Sequence, residues 1–106
     1  MKKLLILIPV FALIATFSCE NKSYKKEDGS IDAKSMYNDN CASCHGETGD
    51  AEIGGAKDLT ISTISKEEAY EIITNGTGNG MMAYKNIIKS EAERKALVKY
   101  IMGFRE

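Results

Sequence analysis

Histidine and proline are scarce in this chain. Of 106 residues only His45 is a histidine and only Pro9 a proline. With a single imidazole, no metal here can be held by two of them, and no Ser-His-Asp arrangement exists. A phosphate-cradling glycine loop and a second cluster of metal-ligating residues are also missing, as are internal repeats and low-complexity tracts. No strand pattern of useful length occurs. The longest apolar run, Leu4 to Phe17, is fourteen residues with only Pro9 and Thr16 interrupting it, short of the roughly 20 that a membrane-spanning helix needs. A strongly basic balance is lacking too: from Cys19 onward 12 basic residues face 15 acidic ones, a formal charge of −3. Nucleic acid is therefore not an expected partner, because its binding needs a basic face.

What is present begins with an export signal. Met1-Lys2-Lys3 is a short positive head, and Leu4 to Phe17 has the length of a signal-peptide apolar region. Ser18 then precedes Cys19, a junction that resembles a bacterial lipobox, where the signal is cut before a lipidated cysteine. Thr16 stands where leucine is usual, and Phe17 is bulkier than the small residue of the common pattern. An ordinary signal peptide ending beside a cysteine is the alternative. The expectation is a signal peptide over 1–18, a lipid anchor at Cys19, and a polar, flexible tether over 19–30. One domain then follows over 31–106. A domain of that size is only marginally stable on an apolar core alone and calls for a staple.

Two of the three cysteines lie in Cys41-Ala42-Ser43-Cys44-His45. Cys-x-x-Cys-His is the attachment signature of a c-type haem. Two thiols three positions apart can add to the two vinyl groups on one edge of a porphyrin, and the adjoining imidazole then binds iron. Haem attachment uses two thiols, and lipidation of Cys19 accounts for the third.

The surrounding pattern is helical. Ala33, Met36 and Tyr37 form an apolar stripe that leads into the motif. Ser65 to Glu68 and Ser90 to Glu93 both read as capping boxes. The first opens a helix burying Ala69, Ile72 and Ile73 and stopping near Gly76. The second opens a helix with Leu97, Tyr100, Ile101 and Phe104 on one face. The fold class is all-α, with glycine-bearing loops over 46–62 and 76–80.

With these helices in place, residues 31–106 resemble class I cytochrome c. The resemblance rests on Tyr37-Asn38-Asp39-Asn40 ahead of Cys41-Ala42-Ser43-Cys44-His45-Gly46, on Gly80-Met81-Met82-Ala83-Tyr84, and on Leu97-Val98-Lys99-Tyr100-Ile101. It implies three main helices and loops wrapped around one covalently bound haem, with Met81 in the axial-methionine position. A thioether opposite His45 favours the ferrous state. On chemistry alone Met81 and Met82 both qualify, being in a glycine-flanked loop, whereas Met36 and Met102 sit on helical stripes where methionine fills core space. Adjacent residues of an extended segment point in opposite directions, so one of the pair faces iron.

The chain departs from the family in lacking proline after the signal. One family proline supplies the carbonyl that accepts the histidine Nδ1 hydrogen; here a carbonyl from Ile53 to Ala56 is expected to serve. Another follows the axial methionine, and its absence is expected to leave that loop less rigid. Leu59, Ile64 and Tyr84 are expected to line the crevice, Tyr70 and Tyr100 to be packing residues, and Lys57, Lys85 and Lys89 to be solvated surface.

The resemblance implies an electron carrier with a redox-protein donor and acceptor, and the export signal with Cys19 leads to the expectation of a bacterial periplasm or cell-envelope location and a membrane anchor. Since no catalytic acid, base or nucleophile stands out, it is not expected to be an enzyme by itself. The alternative is a thiol–disulfide oxidoreductase using Cys41 and Cys44, which calls for a βαβ context that the pattern lacks. A structural zinc site is weaker, because zinc wants four ligands.

Overall fold

The computed structural model describes residues 23–105. The expected signal over 1–18 and Cys19 lie outside the described residues. Four helices follow in order: α1 (Ala33–Asn40), α2 (Ala42–His45), α3 (Lys66–Asn75) and α4 (Glu91–Met102), with a 3-10 turn at Ile53–Gly55. Among the described residues there is no strand, only an isolated antiparallel bridge between Lys25 and Ile31. The molecule is all-α.

The helix starts follow local chemistry. Ser65 and Ser90 are the N-caps of α3 and α4; their hydroxyls accept from the amides of Glu68 at 3.1 Å and Glu93 at 3.3 Å. Each satisfies a donor that the first helical turn leaves unpaired. α1 is capped by Asp32, whose carboxylate accepts from the Ser35 amide at 3.1 Å and hydroxyl at 2.9 Å. These bonds hold Asp32 below the usual carboxylate range, the amide contributing most.

α4 packs against both α1 and α3. Met36 and Tyr37 of α1, Ala69 and Ile73 of α3, Leu97 and Val98 of α4 and Ile88 of the preceding loop are buried together. At the α1–α4 crossing Tyr37, Tyr100 and Phe104 form a three-ring cluster with centroids 5.1–5.4 Å apart, spacing typical of favourable aromatic pairs.

The tether expected over 19–30 is corrected in its described part. Tyr24 is buried in the core cluster. Its hydroxyl donates to the Asp39 carboxylate at 3.2 Å and accepts from the Asn40 side-chain amide at 3.1 Å. Its carbonyl receives the Asp32 amide at 2.6 Å. Charged neighbours make the stretch look soluble, but one aromatic ring with a polar tip suffices to fasten it to α1. Residues 25–30 themselves are exposed and make the turn that returns the chain to Ile31.

Candidate cofactor site

The chain breaks helical geometry at Cys41 (φ −121°, ψ −33°) and resumes for one turn as α2. That turn carries Cys44 and His45, while Cys41 caps it. The two cysteines are not joined to each other; Cys41 is half-buried and Cys44 exposed. Burial, with a smaller contribution from Cys44, pushes the Cys41 thiol up to about 12. It is therefore protonated at neutral pH and a poor attacking group for disulfide exchange, which needs the thiolate.

α2 ends at Gly46, whose φ of 81° is a left-handed conformation that favours glycine. A Cβ there would also fall 2.6 Å from the Cβ of Ala51. The Tyr37 hydroxyl donates to the Gly46 carbonyl at 2.6 Å, tying the end of the motif back to α1. Burial raises the Tyr37 phenol to about 12, so it remains a donor across the physiological range.

The imidazole is oriented by one bond. His45 Nδ1 lies 2.9 Å from the carbonyl oxygen of Lys57. A carbonyl only accepts, so Nδ1 carries the hydrogen and Nε2 of the neutral ring presents its lone pair to a metal. The expected partner was a carbonyl from Ile53 to Ala56; the structure places it one residue further on. The reason lies in the turn, where Glu52, Gly54 and Gly55 all have positive φ (50°, 65° and 84°). The chain spends residues 53–55 on reversing direction and reaches the ring only at Lys57. The side chain of Lys57 is itself exposed.

On the other side of the motif lies the loop 76–88. Gly76 ends α3 with φ 73° and ψ −177°, and a Cβ on it would sit 2.6 Å from the Met81 carbonyl oxygen and 2.8 Å from the Ala83 amide nitrogen. The 81–83 segment thus passes directly over this glycine. The Tyr84 amide donates to Ile73 O at 2.9 Å and the Lys85 amide to Thr74 O at 3.2 Å, using carbonyls that the end of α3 leaves free. The Tyr84 hydroxyl donates to Asn40 O at 2.9 Å, adjacent to Cys41. The methionine loop and the cysteine motif are thereby joined directly.

Met81 is half-buried and packs on the core cluster, as do Cys41, Leu59, Ile64 and Tyr84. Met82 is 55% exposed. Lys85 and Lys89 are exposed, and Tyr100 is a packing residue. Tyr70 packs beneath the Arg94 guanidinium, 5.5 Å from ring centroid to Cζ. In this loop without proline, hydrogen bonds from Tyr84 and Lys85 to α3 and from Tyr84 to Asn40 tie down the segment after Met81.

Sequence reasoning did not find Tyr24, the roles of Thr77 and Tyr84 as hydrogen-bond donors and acceptors in this loop, or Arg94. Arg94 is only 9% exposed. It donates to Ile88 O at 2.7 Å, Lys89 O at 3.1 Å and the Tyr70 hydroxyl at 3.1 Å. Its position three before Leu97 placed it on the buried stripe, a signal that its charge obscured.

The donor set fits the group the motif implies. Two thiols flank one helical turn, an imidazole with a fixed tautomer offers Nε2, and a thioether lies among apolar side chains. Zinc is poorly served, since among the described residues no three His, Cys, Asp or Glu side chains come together as a metal cluster.

Residues 31–101 match the family model described as cytochrome c oxidase, cbb3-type, subunit III. The chain belongs to this family of cytochrome c domains. A solved structure described as KustC0563 c-type cytochrome is similar at 34% identity and a TM-score of 0.62, over 72% of this chain and 100% of that one. No curated protein matches. Membership in the cytochrome c family implies haem c as cofactor and electron transfer as its use.

Proposed function

We propose that this cytochrome domain is a one-electron carrier with one haem c, attached through Cys41 and Cys44 and ligated by His45 and Met81. When bound, the haem supplies the one-electron couple. The observation that carries the reading is the bond from His45 Nδ1 to Lys57 O. It leaves Nε2 as the ligating atom and fixes the orientation of the ring. Packing supports Met81 over Met82, since the former is turned toward the core and the latter toward solvent. Cys41 and Cys44 would hold the group by two thioethers, and Leu59, Ile64 and the Tyr84 ring, which pack against the same core cluster as Cys41, would restrict water.

The carrier works outside the cytoplasm, in a bacterial periplasm or cell envelope, between a redox-protein donor and acceptor. Cys19 anchors it to a membrane as a lipoprotein. The lipobox-like junction and the positive head before it support this part. Intact-mass analysis of the membrane fraction is expected to give a chain starting at Cys19 with acyl mass added. An unacylated product starting elsewhere would reject the anchor. The thiol–disulfide reading lacks support, because the described residues contain no βαβ unit.

The ligand assignment is tested by potentiometric titration followed through reduced-minus-oxidised spectra. A single one-electron wave is expected, with a long-wavelength iron–sulfur band in the ferric protein that Met81→Ala removes and Met82→Ala retains. A band that survives Met81→Ala would move the ligand elsewhere.

A further inference from the structure

We propose that Thr77 is the positioning residue for Met81, holding both of its backbone hydrogen-bonding groups so that its thioether, and not that of Met82, is presented inward. The proposal rests on Met81 being the sixth ligand. The Thr77 amide donates to Met81 O at 2.9 Å, and the Met81 amide donates to Thr77 Oγ1 at 3.1 Å. One residue thus closes a five-residue turn from both ends. Between them Gly78, Asn79 and Gly80 are exposed, and a Cβ on either glycine would touch nothing within 4 Å. The turn has no side-chain packing of its own, so its shape depends on these two bonds.

The consequence is a choice of register. Adjacent side chains in an extended segment point to opposite sides, so a slip by one residue would exchange Met81 for Met82. Gly76 limits the slip from below by its close approach to Met81 O, but a glycine contact excludes bulk and does not orient a peptide plane. The Thr77 hydroxyl does orient it, because only an acceptor at that place satisfies the Met81 amide. In a loop without proline, this bond supplies the restraint that a fixed backbone angle would otherwise provide.

The test uses ferric holoprotein and added imidazole, which binds iron only where the methionine has left. The apparent affinity for imidazole therefore scales with the detached fraction. A net hydrogen bond of ordinary strength corresponds to about a three- to tenfold change. Thr77→Val is expected to bind imidazole about three- to tenfold more tightly than the wild type, with faster hydrogen exchange at the Met81 amide. Thr77→Ser, which keeps the hydroxyl, is expected to match the wild type in both. Thr77→Ala serves as a second variant, with the same expectation, should the branched valine crowd the turn. Thr77 is exposed, so the urea midpoint is expected to fall by no more than that one bond accounts for, which separates positioning from general stability. Equal imidazole affinity in wild type, Thr77→Val and Thr77→Ala would overturn the proposal, as would a serine variant that behaves like valine. Failure of the ligand reading itself looks different: Met81→Ala would then bind imidazole no more tightly than the wild type.

Discussion

Single residues decide the chemistry of this domain, and most of them do so through one hydrogen bond. Lys57 acts by its carbonyl, fixing the His45 tautomer, while its ammonium stays in water. Arg94 is the strongest case in the core. It is the one charged side chain that is buried among the described residues, and it ties α4 to α3 through Tyr70 and to the loop after Met81 through Ile88 and Lys89. Arg94→Met fills similar space but leaves those acceptors unpaired, a cost of about 2–4 kcal/mol. Urea denaturation at equal haem content checks this. Arg94→Lys is expected to recover only part of the loss, because one ammonium cannot reproduce the planar fork. A methionine variant as stable as the wild type would mean that water replaces the guanidinium. In the sequence its place three before Leu97 puts Arg94 on the apolar stripe of α4, but its charge masks that signal. The burial of that face unmasks it.

At the scale of elements, the junction between α3 and the methionine loop matters most. Gly76 holds a backbone conformation that is essentially confined to glycine, and the chain crosses it at less than contact distance for any Cβ. Gly76→Ala is expected to cost about 3 kcal/mol and to weaken methionine ligation together with stability. Thermal melts and the iron–sulfur band, read on one sample, check it. An alanine variant with both unchanged would show that the loop can ride away from α3 without consequence. The helices themselves were legible. Ser65 and Ser90 cap where the capping pattern put them, Gly76 stops α3, and Ala33, Met36 and Tyr37 were recognisable as one face. Apolar stripes and caps are local signals, and local signals survive folding. What was not legible was non-local. The Lys57 carbonyl was missed by one residue because the left-handed Glu52 and two glycines consume chain length that spacing alone does not report. Tyr24 was assigned to a tether because its neighbours are charged, whereas its partners Asp39 and Asn40 lie fifteen and sixteen residues away.

The whole molecule is a small core that two loops complete. Eight hydrophobic residues among those described are buried, few for a domain of this size, and apolar burial alone leaves such a domain marginal. The cysteine turn and the methionine loop meet through Tyr84 and Asn40, so the proposed haem would join elements that otherwise share little packing. Cofactor and fold are then coupled: what binds the native state stabilises it by mass action, and covalent attachment makes that contribution permanent. The proposed attachment residues Cys41, Cys44 and His45 stand out in the sequence because one chemistry demands that spacing. The proposed ligand Met81 stands out only as one of a pair, since register in a glycine-rich loop is set by contacts distant in sequence.

The central claim is that Cys41 and Cys44 carry covalent haem. The most direct measurement is acid–acetone extraction of protein purified from cells with a working maturation system, followed by the reduced pyridine spectrum of the pellet. The haem is expected to stay with the polypeptide, with the spectrum of a macrocycle attached by two thioethers. A Cys41→Ala, Cys44→Ala chain should give up any haem it holds to the acetone. Haem that leaves the wild-type chain freely, or a purified chain whose two thiols titrate as an intact dithiol, would contradict the account.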